Sequence, residues 1–303
     1  MVEIENLSKG FENEMILKGV GTRIANGSIC GLVGSNGAGK STLLRCISGV
    51  YRPQEGEVRI GGESVYDAPG VKEKIFYLAD ESYFPVGADL KTMAKLYAHY
   101  YPAFDMAYFK ELCKTFQLNA KKRLQSFSKG MRRQAALILA FSTRPQYLLL
   151  DESFDGLDPI VRRLARQLLC REVAERGMTV VISSHSLREL EDLCDQLLFL
   201  HQGKLLLDQK PEDARSSLVK VQVAFEREYD RTMFAGFDIV HYEQSGAVAG
   251  LILRGEAGQI RAQMEEKHPV LLELLPLSLE EVFICEAEEL GYSFTLEEEG
   301  EEP

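Results

Sequence analysis

Residues Gly34-Ser35-Asn36-Gly37-Ala38-Gly39-Lys40-Ser41-Thr42 satisfy the pattern G-x-x-x-x-G-K-[ST] at every fixed position. An apolar run, 29–33, precedes them and reads as a strand, while 41–48 reads as a helix. This one segment commits the chain to a strand that delivers a glycine-rich loop to a helix N-terminus. Glycines let such a loop wrap so that successive N–H groups point inward, where they can cradle phosphate oxygens. The helix end adds partial positive charge. Lys40 supplies a full charge for β- and γ-phosphates, and the Ser41 hydroxyl can ligate Mg²⁺. Gly34, Ser35, Asn36, Gly37, Ala38, Gly39, Lys40, Ser41 and Thr42 are therefore the first candidate site.

A second pattern matches it. Tyr147-Leu148-Leu149-Leu150 is an apolar run that ends in Asp151-Glu152. A strand buried on both faces delivers both acids at its C-terminal end, where open α/β sheets bind ligands. Asp151 is placed to hold Mg²⁺ through water, and Glu152 to polarise an attacking water.

Further strands are predicted at 2–7, 15–24, 57–60, 74–79 and 179–183, with two more inside 197–207 around the turn Gln202-Gly203. Helices are predicted at 160–176 and 187–194. From 89 to about 143 the periodicity is helical throughout, with Leu90, Met93, Ala94 and Tyr97 on one face. Strands alternating with helices predict an α/β fold with a mixed, mostly parallel sheet and an all-helical insertion, about 85–143.

Charge divides the chain. Residues 1–210 sum to +3 and residues 211–303 to −14, giving the net −11. A boundary is predicted near 210, which makes 1–210 the nucleotide-binding domain and 211–303 an acidic accessory domain. The second block reads as a small α+β unit, with strands at 219–225, 237–243, 248–253 and 270–274 and helices at 257–267 and 279–290. The glutamates within 297–302 read as a solvated end. For the chain as a whole, the negative balance argues against nucleic acid as a partner. No apolar stretch is long enough to span a bilayer, and no secretory signal opens the chain. Cys30, Cys46, Cys113, Cys170, Cys194 and Cys285 show no C-x-x-C spacing, which predicts reduced thiols in a cytoplasmic protein.

Between the two patterns lies Phe127-Ser128-Lys129-Gly130-Met131, followed by an apolar helix. With the phosphate loop, the acid pair and the insertion, this order resembles the ATP-binding subunits of ABC transporters, whose signature usually reads L-S-G-G-Q. Lys129 and Met131 depart from that pattern. The resemblance implies a P-loop NTPase cassette that binds ATP with Mg²⁺. It implies a head-to-tail dimer, of two copies or with a related subunit, in which Ser128, Lys129 and Gly130 meet the ATP held by the opposite subunit. Gly156-Leu157-Asp158 resembles the family's D-loop, with Asp158 as a dimer contact and also a good helix start ahead of Pro159. His185, just after a predicted strand, matches the switch histidine, and Phe11 the aromatic that stacks on adenine. The family usually has Gln where this chain has Asp80, which makes Asp80 a candidate Mg²⁺ ligand. Arg132 and Arg133 read equally as a solvated basic helix end or as phosphate-attracting charges.

Ser278-Leu279-Glu280-Glu281-Val282-Phe283 resembles a segment that closes many type-two bacterial exporter ATPases, and it is equally an N-capped helix start. The implied function is ATP hydrolysis that powers a separately encoded membrane permease, from the inner face of the cell membrane. A soluble ABC ATPase or a regulatory nucleotide-binding module is the alternative.

Overall fold

Three short segments, Ile29–Val33, Tyr147–Asp151 and Thr179–Ser184, are buried at every residue. Strands covered on both faces are what a parallel sheet between layers requires. In the computed structural model, which describes residues 1–289 except 13, 212 and 214–217, the chain divides into two compact units between Asp208 and Gln209. The predicted glutamate-rich end, 297–302, lies outside the described residues.

The first unit opens with β1 (Val2–Phe11) and β2 (Glu14–Ile24), then β3 (Ile29–Val33), α1 (Lys40–Ile47), β4 (Glu55–Ile60), β5 (Glu63–Ser64), α2 (Pro69–Lys72) and β6 (Ile75–Leu78). Three longer helices follow: α3 (Leu90–Tyr100), α4 (Met106–Thr115) and α5 (Lys129–Ser142). Then come β7 (Tyr147–Asp151), α6 (Pro159–Arg176), β8 (Thr179–Ser184), α7 (Leu187–Leu190), β9 (Gln196–His201) and β10 (Lys204–Gln209). One sheet runs β2-β1-β4-β5 with antiparallel pairing, and the other runs β10-β9-β3-β8-β7-β6. In the second, β9, β3, β8, β7 and β6 pair in parallel. Apolar residues of β1, among them Val2, Ile4 and Leu7, share a buried core with Leu43, Leu44 and Ile47 of α1.

The helical insertion is three helices rather than one continuous pattern. Asp89, Asp105 and Ser128 cap α3, α4 and α5, and each accepts backbone N–H bonds from the first turn. The predicted helix over 187–194 is only Leu187–Leu190. The chain turns there because Asp195 bonds β3: its carboxylate accepts the Ile29 N–H at 2.8 Å and its own N–H donates to the Ile29 carbonyl. Before β7, the buried Glu172 of α6 takes both Arg144 (2.9 Å) and Arg176 (2.6 Å). That network lies at the opposite end of β7 from Asp151.

The second unit is a four-stranded antiparallel sheet of β11 (Leu218–Ala224), β12 (Asp238–Ser245), β13 (Val248–Arg254) and β14 (Leu271–Leu275), in the order β12-β13-β11-β14. Ile260 and Met264 of α8 (Ala257–Glu265), with Phe234, join Val221, Val223, Leu251 and Leu253 in a core of their own. α9 (Leu279–Glu289) begins with a reciprocal cap: the Glu281 N–H donates to Ser278 Oγ, and the Ser278 N–H donates to Glu281 Oε2 at 3.0 Å. The N-capped helix start read there is present, with Glu281 at the capping-box position. All six cysteines are free thiols; burial pushes Cys46 and Cys113 up to about 11, which makes them poor nucleophiles.

Candidate nucleotide site

Parallel register decides what meets at the C-terminal edge of the sheet. Val33 pairs with Ser184, and Asp151 with Ser183. The loop after β3, the acids ending β7 and the histidine after β8 therefore leave the sheet side by side. Gly39 has φ +108°, and a Cβ there would stand 2.8 Å from the Leu17 side chain, so the loop's entry into α1 requires glycine.

Residues Asn36 to Thr42, with Phe11, Ile16 and Glu152, line a cleft of about 320 Å³. Lys40 crosses it: its ammonium donates to the carbonyls of Gly34 (2.7 Å) and Ser35 (3.1 Å) and stands 3.4 Å from Glu152 Oε1. The Lys40 side chain is 5% exposed, so a full positive charge lies where solvent screens it poorly. Phe11 is an exposed ring at the end of β1, edge-on to Tyr51 and beneath the Lys9 ammonium. It is part of the cleft wall and not of the core.

Asp151 is 1% exposed, and both of its oxygens are occupied by neutral donors. Ser183 Oγ donates to Oδ1 at 2.7 Å and the Tyr77 hydroxyl to Oδ2 at 3.0 Å. Burial and then the Asp151 charge push the Tyr77 phenol well up, which keeps it protonated and donating. Ser183 Oγ also accepts the Glu152 N–H, so one hydroxyl spaces both acids. Glu152, Asp155 and His185 each bring a side-chain ligand atom to within 4.8 Å of the others, and His185 Nδ1 is 3.5 Å from Asp155 Oδ2.

The remaining candidates lie elsewhere. Ser128 caps α5, accepting the Met131 N–H at 3.2 Å, and Ser128, Lys129 and Gly130 lie outside the phosphate cleft. Gly130 presses on the loop after β7, where a Cβ would meet the Gly156 carbonyl at 3.0 Å. Asp158 caps α6 through the N–H groups of Ile160 and Val161, each at 3.0 Å. Asp80, expected as a Mg²⁺ ligand, is paired with a cation. Its carboxylate bonds the Arg133 guanidinium and faces a second cavity, with Glu81, Ser82, Lys129 and Arg132, apart from the phosphate loop. A charge-assisted bond to a buried cation orients this carboxylate. Arg133, read equally as part of a solvated basic helix end or as a phosphate-attracting charge, is 5% exposed and internal.

The ABC transporter family profile matches residues 17–155. The ABC transporter ATP-binding protein YtrB of Bacillus subtilis (strain 168) is 31% identical over 94% of this chain and 97% of its own length. The Nod factor export ATP-binding protein I of Rhizobium sp. (strain N33) is 28% identical over 93% and 95%. Among solved structures, an ATP-binding subunit of an ABC transporter is 27% identical and superposes with TM-score 0.66 over 71% of this chain and 92% of its own. The dimeric post-hydrolysis cassette MJ0796 bound to ADP and Pi shares the fold at 24% identity, with TM-score 0.63 over 70% and 99%. The likeness to YtrB extends through both units, and the site's geometry agrees with it: this chain belongs to the ABC transporter ATP-binding proteins and is an ATPase of that family.

Proposed function

We propose that this chain drives export through a separate membrane permease, bound to the inner face of the cell membrane, as a head-to-tail dimer that holds two ATP between subunits. The observation that carries this reading is the separation of two phosphate-directed surfaces. Lys40 and Glu152 converge in one cleft, while the α5 N-terminus, capped by Ser128, lies outside it. A helix N-terminus and a serine outside the cleft of their own phosphate loop suit a γ-phosphate presented by a second subunit. The names of the export relatives support the direction of transport, and the dimeric cassette supports the assembly.

ATP would lie with its phosphates on the N–H groups of 35–42, its γ-phosphate near Lys40 and its adenine against Phe11. Glu152 would accept a proton from the attacking water, and Lys40 would stabilise charge as it develops on the phosphoryl oxygens. Asp155 Oδ2 stands 3.5 Å from Nδ1 of His185, so Nε2 would be the nitrogen offered to the γ-phosphate. Ser41 lines the cleft and Asp151 ends β7; both are hard oxygen donors that would suit Mg²⁺, Asp151 through water. When bound, the ion would neutralise charge on the β- and γ-phosphates.

Steady-state hydrolysis by the purified chain tests turnover, and the Glu152→Gln variant tests the sandwich. That variant is expected to lose about 100-fold or more in rate and to form dimers on adding ATP, as read by light scattering. A variant that binds ATP and remains monomeric would sink the sandwich. Recovery of the chain with membranes from cells that express its permease, and its release when the permease is deleted, would test the membrane partner.

A further inference from the structure

We infer that Arg133 is a positioning residue for Glu152, clamping the backbone of the carboxylate-bearing residue to the signature helix, with Asp80 as the clamp's charged anchor.

Glu152 has φ +45°, in the left-handed region that a residue with a side chain rarely adopts. Such a conformation persists only where its surroundings over-determine it. Here both backbone groups of Glu152 are held. Its N–H donates to Ser183 Oγ at 3.0 Å. Its carbonyl accepts Arg133 Nη1 at 2.5 Å as well as the Asp155 N–H at 3.2 Å. Nη1 donates also to the Asp155 carbonyl at 3.0 Å, so one arm of the guanidinium grips the turn that aims the carboxylate.

The other arm is fixed separately. Nη2 donates to both the carbonyl and the Oδ1 of Asp80, each at 2.5 Å. A guanidinium is planar and rigid, so anchoring one arm fixes the direction of the other. A buried Arg needs an anion nearby, and Asp80 supplies it where the family usually has a neutral Gln. Arg133 belongs to α5, whose first turn is capped by Ser128. A shift at the start of that helix therefore reaches Glu152 through a single stiff side chain. This accounts for the Asp that departs from the family pattern: its partner is the clamp.

The inference rests on the ATPase reading; wild-type turnover tests that reading by itself, and ratios between variants test the clamp. Arg133→Gln, Arg133→Lys and Asp80→Asn would each be made alone and combined with Glu152→Gln. The measurements are kcat, single-turnover hydrolysis of bound ATP, Kd for a fluorescent ATP analogue, and Tm. Arg133→Gln is expected to lose roughly 100-fold in kcat, the scale of a misplaced catalytic group, with Kd for the analogue unchanged. Lys carries the charge without the second arm, so Arg133→Lys should lose nearly as much. In the Glu152→Gln background neither substitution should slow hydrolysis further, because the clamp acts through that carboxylate alone. Losses that multiply in the double variants, or a single-variant kcat equal to wild type, would overturn the inference. Should Arg133→Gln melt too low to assay, Asp80→Asn keeps the shape and removes only the anchor's charge. Its expected result is a partial loss of kcat that vanishes in the Glu152→Gln background, and a wild-type rate would overturn the clamp.

Discussion

Asp151 carries its charge almost without solvent, and two hydroxyls set its direction. Tyr77→Phe keeps the ring and removes one of them. The carboxylate then gains a rotational freedom that Ser183 alone does not restrain. Groups behind a metal ligand are worth about 10–100-fold in metal affinity, so with Asp151 in its proposed place at Mg²⁺, Tyr77→Phe should raise the Mg²⁺ concentration for half-maximal hydrolysis by about tenfold. The Mg²⁺-dependent rise in Tm with a non-hydrolysable ATP analogue should shift by the same factor. An unchanged Mg²⁺ titration would refute this. At the residue scale, legibility followed spacing. The phosphate loop and the Asp151-Glu152 step are contiguous and chemically distinctive, so the sequence displays them. Tyr77, Ser183 and Arg133 reach the acids and their turn from β6, β8 and α5, and no local spacing shows which groups they bond. The partner of Asp80 was hidden for the same reason, since it is a guanidinium far along the chain.

Capping and the proposed dimer contact can be separated at the start of α6. Asp158 accepts two N–H bonds at the start of α6, and the proposed dimer would use the same carboxylate across subunits. Asp158→Ala should cost about 1 kcal/mol as a lost cap, whereas Asp158→Ser should cost only a few tenths. If the carboxylate also meets the partner, both should weaken ATP-driven dimerisation in the Glu152→Gln background. Dimerisation that follows the melting temperature instead would assign Asp158 to capping alone. At α9, burial alone would raise Glu281, but Lys220 and Ser278 hold it below the usual carboxylate range. A lowered folded value means stability that is present above the unfolded pKa and lost as pH falls through the folded one. Glu281→Gln should therefore unfold at lower urea than wild type at pH 7, with the gap closing below about pH 4. Among the elements, the fully buried parallel strands were the easiest to read. The helix after β8 was overextended because a tie from Asp195 to β3, not local periodicity, ends it.

At the scale of the molecule, each unit has its own apolar cluster, one around β1 and α1 and one around β11 and β13. Two transitions are expected in calorimetry, with ATP analogue and Mg²⁺ raising only the one that belongs to residues 1–208. A single transition that moves as a whole would show the units to be one cooperative body. The −14 summed over residues 211–303 makes the second transition the more sensitive to low ionic strength. One feature of the first unit also bears on how the gene can vary. The Glu172 network with Arg144 and Arg176 secures β7 at the end away from its acids. Inheritable change at those three positions would reach a cell as a difference in protein abundance, with each surviving molecule turning over at its parental speed. Change at the other end of the same strand would leave abundance alone and silence the molecules that are made.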